Sequence, residues 1–160
     1  MAAKTFRNGP WEELRSISEK ILASRNSYTP SWSRIGYWHP KEFLTVLSKM
    51  WSAYYENPHP LVLIALLKTT KKFSYADDTV PKLFKSRGKT LTVKRLLTTD
   101  YKLEIRRYFM ATLREAYESS KSFEKYHKGG EFIAKGGVDL LSYELGERQY
   151  DLLVTSPPYG

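Results

Sequence analysis

Residues 100–130 read DYKLEIRRYFMATLREAYESSKSFEKYHKGG, and the stretch changes character once, at its closing pair of glycines. Up to Lys128 the apolar residues recur at helical spacing, so Leu103, Ile105, Phe109, Leu113, Ala116 and Tyr117 are expected to face inward. Asp100 offers a side-chain acceptor to the first unpaired N–H groups, and Gly129-Gly130 can take up the turn that ends a helix. The chain is therefore expected to be mainly α, with an all-helical domain over about residues 1–128.

Working back toward the amino terminus, the same period recurs. Pro60 to about Thr70 is apolar nearly all round and reads as a central core helix, with a buried strand over Leu61 to Leu67 as the competing assignment. Pro40 to Glu56 repeats Phe43, Leu44, Leu47, Met50, Trp51 and Tyr54 in steps of three and four, and Asn57-Pro58-His59-Pro60 ends it. Pro10 to Arg25 is a third helix: Pro10 suits its first position, Glu12 and Glu13 suit its positive end, and Trp11, Leu14, Ile17, Ile21 and Leu22 share a face. Asn26 to Trp38 lacks a helical period and reads as a connection whose Trp32, Tyr37 and Trp38 need cover. All four tryptophans read as packing residues.

The 160 residues carry 26 Lys+Arg against 17 Asp+Glu, a formal charge of +9, with a pI near 9.6. That balance favours a polyanionic partner, reached through phosphate contacts and counterion release. The densest basic stretch is Lys68, Lys71, Lys72, Lys82, Lys85, Arg87, Lys89, Lys94 and Arg95, opposed only by Asp77 and Asp78. Phe73 and Tyr75 interleave with these cations as on surfaces that bind single strands or flipped bases. Lys68, Lys71, Lys72, Lys82, Lys85, Arg87 and Lys89 are the candidate DNA contacts. The bland alternative is a solvated connection that keeps the protein soluble.

The chain has no cysteine, which removes disulfides, thiolate metal sites and Cys nucleophiles. His39, His59 and His127 fall in no ligand spacing, so no metal is expected. The longest strongly apolar run, Leu61 to Leu67, is shorter than a membrane span needs, and a cytoplasmic location is expected.

Beyond the glycine pair the period shortens. Glu131-Phe132-Ile133-Ala134 reads as a strand, Val138 to Leu145 as a turn or two of helix, and Tyr150-Asp151-Leu152-Leu153-Val154-Thr155 as a buried strand of the parallel kind. The last strand runs into Ser156-Pro157-Pro158-Tyr159-Gly160, at the end of the strand where open α/β sheets place their ligands. Two prolines hold the neighbouring hydroxyl, carbonyls and ring in a fixed array. Such an array suits methylation of an exocyclic amino group, whose lone pair is delocalised until acceptors on its N–H groups draw it toward tetrahedral geometry. The Ser156 hydroxyl and the Pro157 carbonyl are the candidate acceptors, and Tyr159 offers a ring for a flipped-out base.

Asp151-Leu152-Leu153-Val154-Thr155-Ser156-Pro157-Pro158-Tyr159 resembles the catalytic motif of the DNA amino-methyltransferases of restriction–modification systems. Its serine is closer to the cytosine-N4 branch than to the adenine-N6 branch. Phe132 to Gly136 and Asp139-Leu140-Leu141 resemble the strand and turn that lead into that motif, and Ile35 to Pro40 resembles, less specifically, a helical segment that some methylases place before it. The resemblance implies that residues 129–160 start a Rossmann-like α/β unit, that Ser156, Pro157, Pro158 and Tyr159 are its catalytic residues, and that S-adenosylmethionine is the methyl donor.

The family's Phe-x-Gly-x-Gly loop, which wraps the donor, has no counterpart here. Gly129-Gly130 and Gly136-Gly137 lack that form, and no cofactor residue transfers, although Asp139 stands near the position of the family's acidic residue. The chain is accordingly expected to be part of an enzyme, inactive alone, with the donor loop on a further segment or a second chain. A non-catalytic helical nucleic-acid-binding protein, or the remnant of a methylase gene, is the alternative from another class. Amino-methyltransferases of RNA or protein glutamine more often carry Asn in place of Ser156.

Overall fold

The protein is described by a computed structural model covering residues 9–28, 30, 34–79 and 84–126. It is mainly helical there, with α1 Trp11–Ala23, α2 Ile35–Trp38, α3 Lys41–Glu56, α4 Pro60–Lys72, α5 Arg87–Leu97 and α6 Tyr101–Tyr126. The chain divides into Arg7–Gly129 and a second unit of Met1–Phe6 with Gly130–Gly160. Everything described belongs to the first. The expected strands and turn of 131–155, and the Ser156 to Tyr159 motif, lie outside the described residues.

The helix starts follow the local chemistry. Pro10 and Pro40 are extended, with ψ of 152° and 144°, so they precede α1 and α3 rather than opening them as expected, and their carbonyls accept from Glu13 N at 3.1 Å and Leu44 N at 3.0 Å. Pro60 does occupy the first turn of α4, where His59 Nδ1 accepts from Leu61 N at 3.3 Å. Asp100 caps α6 through Oδ1, which accepts from Leu103 N at 3.2 Å.

In α4 the buried residues are Leu61, Val62, Ala65, Leu66 and Thr69, a helical stripe that excludes the strand alternative. The stripe is one-sided: Ile64 and Leu67 are 43% and 52% exposed, so α4 is not covered all round. It packs most extensively on α6 and also on α3, while α1 lies on α3 and α6. On α6 the seam is Ile105, Phe109, Thr112 and Leu113. Leu103, expected on that seam, is 40% exposed, because two residues turn a helix by about 200° and it cannot share a face with Ile105.

Phe43 of α3 sits at the centre. Its ring meets Phe73 edge-on at 5.5 Å and Tyr101 at 5.6 Å, tying three helices together. Trp51 adds a polar tie, donating from Nε1 to Thr70 Oγ1 at 3.0 Å.

Two segments differ from expectation. Asn26 to Trp38, which reads as a connection, contains the single turn α2. The basic segment is half helix: α5 fills 87–97 although Gly88, Thr90, Thr92 and Val93 all disfavour helix. Ser86 caps it by accepting from Lys89 N at 3.1 Å, and Val93 anchors it in the core at 0% exposure. Ahead of α5, Ala76 and Lys85 pair as an antiparallel bridge, with Asp77 N donating to Phe84 O at 2.7 Å, so the region before 128 is not wholly helical. No helix among the described residues is long and apolar enough to cross a membrane.

Candidate nucleic-acid interface

The end of α4, the Ala76–Lys85 bridge and α5 carry the expected contact residues, and the structure separates them by environment. Lys68 pairs with Glu115 at 3.2 Å, both side chains at least half exposed, which is worth little energetically. Lys71 stands partly buried in the last turn of α4. Lys72 lies 3.1 Å from Asp78 and 5.9 Å from the Tyr108 ring centre. The ammonium of Lys85 donates to Tyr37 O at 3.2 Å and lies over the Tyr37 and Tyr75 rings at 4.4 and 4.2 Å. Lys82 lies outside the described residues.

Lys89 is internal. Its side chain is 5% exposed, and Nζ donates to Lys72 O and to both oxygens of Asp78, each at 2.8 Å. With these acceptors around it, Lys89 fastens α5 to the end of α4. Burial alone would push the Asp78 carboxyl up, but hydrogen bonds and charge from Lys89 and Lys72 together outweigh it and hold it below the usual range. Hydrogen bonds from Ser86 first, then from Thr79, hold Asp77 down to about 2.

The outward side of α5 is different. Arg87, Leu91, Lys94 and Arg95 recur at helical spacing and are exposed, and the three cations have no ion-pair partner among the described residues. The helix contains no acidic residue. An uncompensated cationic face on one helix is what phosphate contact requires.

The two described histidines are structural. His39 is buried, its Nδ1 3.2 Å from Phe73 O, so the proton sits on Nδ1 and the end of α2 is tied to the end of α4. Burial pushes His39 down despite that bond, and burial likewise pushes His59 down against the opposing charge of Glu13. Among the described residues no group of three His, Asp or Glu side chains is placed to hold a metal ion.

Sequence reading missed a second basic grouping. Lys49 of α3 and Lys102 and Arg106 of α6 line one cleft of about 280 Å³ at the carboxyl end of α1. No run of charge marks it, since only the packing of α1, α3 and α6 gathers these residues. The chain matches no family model, no curated protein and no solved structure.

Proposed function

We propose that this chain is part of an S-adenosylmethionine-dependent DNA amino-methyltransferase acting on the N4 group of cytosine. In this reading residues 129–160 begin a Rossmann-like α/β unit and the helical unit contacts DNA. The observation that carries it is the apolar run Tyr150 to Thr155 leading directly into Ser156-Pro157-Pro158-Tyr159. The cationic outer face of α5 is compatible with a polyanionic substrate.

Ser156 and the Pro157 carbonyl would accept hydrogen bonds from the amino group as it becomes tetrahedral, Pro158 would keep that carbonyl fixed, and Tyr159 would stack on the extruded base. The described glycines make no cradle for the methyl donor: Gly36 and Gly88 lie within helices and Gly9 just ahead of one. No described residue is assigned to the donor, whose binding portion would come from a further segment or a partner chain.

The test uses the chain supplied with a donor-binding portion, in cis or in trans. Ser156→Ala is expected to lower turnover by roughly two orders of magnitude, because one preorganised transition-state hydrogen bond is worth ~3 kcal/mol. Tyr159→Ala should instead weaken binding of an extruded base by about 1–3 kcal/mol, with Tyr159→Phe tolerated. Normal cytosine methylation by Ser156→Ala would sink the assignment. DNA binding that survives with no methyl transfer in any preparation would favour a non-catalytic nucleic-acid-binding protein.

A further inference from the structure

We infer that the cleft formed by the carboxyl end of α1, the side of α3 and the first turns of α6 binds a phosphate group. Lys49, Lys102 and Arg106 line it, and no Asp or Glu does. Lys102 and Arg106 are one turn apart on α6, so their charges lie side by side, and Lys49 faces them from α3. Of the acidic groups on these helices, Glu104 pairs with Arg107 at 3.3 Å and Glu19 with Arg15 at 3.0 Å, while Glu42, two turns before Lys49 on the same face of α3, is not among the residues that line the cleft. Neither Lys49 nor Lys102 has an ion-pair partner among the described residues.

Three like charges gathered around one cleft repel one another, and a bound anion removes that penalty. A structural role accounts for part of the cluster. Arg106 Nη2 donates to Leu22 O at 3.0 Å, so it satisfies a carbonyl at the carboxyl end of α1, where the helix carries roughly half a negative charge. That half charge is small against three cations, and the remaining guanidinium N–H groups stay available. At about 280 Å³ the cleft has room for several waters, hence for a tetrahedral oxyanion, given that one water takes about 30 Å³ of liquid. Arginine and two lysines supply charged donors to such a group, which a neutral ligand would waste.

The phosphate belongs either to a nucleic-acid backbone or to a small phosphorylated ligand, and neither source depends on the methyl-transfer reading. The experiment titrates the full chain with inorganic phosphate and, separately, with a short DNA duplex, following amide shifts by NMR. Lys49→Gln/Lys102→Gln is compared with wild type, with melting temperature as the check on folding and the single exposed change Lys102→Gln as the second variant. Phosphate is expected to move resonances around Ala23, Lys49, Lys102 and Arg106, and to bind roughly tenfold more weakly to the double variant, which lacks two charged hydrogen bonds. If the backbone is the source, phosphate competes with the duplex, and the slope of log K against log salt falls by about 1–2 in the double variant. If the source is small, the duplex is indifferent to the substitutions and phosphate alone responds. Folded variants that bind phosphate and duplex as wild type does would overturn the inference.

Discussion

A lysine side chain that is 5% exposed needs a counter-charge close by, and Lys89 has one in Asp78, with both carboxylate oxygens 2.8 Å from Nζ. Removing one member of such a pair leaves the other desolvated. Because Asp78 is itself 39% exposed and keeps Lys72, the cost of Lys89→Ala should be about 2 kcal/mol, between that of an exposed pair and that of a fully buried one. Thermal denaturation should show a drop of several degrees, and Lys89→Met, which keeps the aliphatic stem, separates packing from charge. An unchanged melting temperature would show the pair to be energetically idle. Acid acts on the same place. The folded carboxyls of Asp77 and Asp78 both titrate below their ordinary range, so their contribution is present above the unfolded value of about 3.9 and is lost as pH falls through the folded values. Melts between pH 5 and pH 2 should therefore show a loss concentrated below about pH 4, reduced in Asp77→Asn/Asp78→Asn.

At the scale of the element, α5 depends on a few side chains. Val93 is wholly buried while Leu91 is 58% exposed, so Val93→Ala should cost about 1–2 kcal/mol through the cavity it leaves, and Leu91→Gln less than about 0.5 kcal/mol. Equal costs in chemical denaturation would mean that α5 is docked through another face. The same helix shows where sequence reading fails. α6 is legible because Ile105, Phe109 and Leu113 recur at every turn with Asp100 ahead of the helix, and α3 because Phe43, Leu47 and Met50 recur in the same way. α5 is not, because Gly88, Thr90 and Thr92 speak against helix and its charges read as DNA contacts, or alternatively as a solvated connection, without pointing to an element. What forms it is tertiary: the seating of Val93 and the Lys89–Asp78 tie. α4 is legible as apolar, but the exposure of Ile64 and Leu67 depends on which neighbours exist, which a local window does not contain. The grouping of Lys49, Lys102 and Arg106 is illegible for that reason too.

For the molecule as a whole, the charge of +9 predicts duplex binding that is weak, poor in sequence preference and steep in salt. The structure says which cations should matter. Replacing Arg87, Lys94 and Arg95 by Ala should lower the slope of log K against log salt by up to about 0.9 for each phosphate that is no longer neutralised. Lys68→Ala should do less, since Glu115 already answers it. Fluorescence anisotropy across a salt series measures both, and an unchanged slope in the triple variant would make the outer face of α5 a solvated surface only.

α6 also has a mechanical reading. Its 26 residues make a rod of about 39 Å at 1.5 Å per residue. Ile105, Phe109 and Leu113 are fully buried, whereas none of Glu118 to Lys125 is, and that outer part is braced by the Arg114–Glu118 and Lys121–Glu124 pairs along its own surface. The helix is thus seated in the core through its first half, while its last turns are not fully buried. A rod clamped over its first half would carry a force on its last turns back to the seat of Phe109.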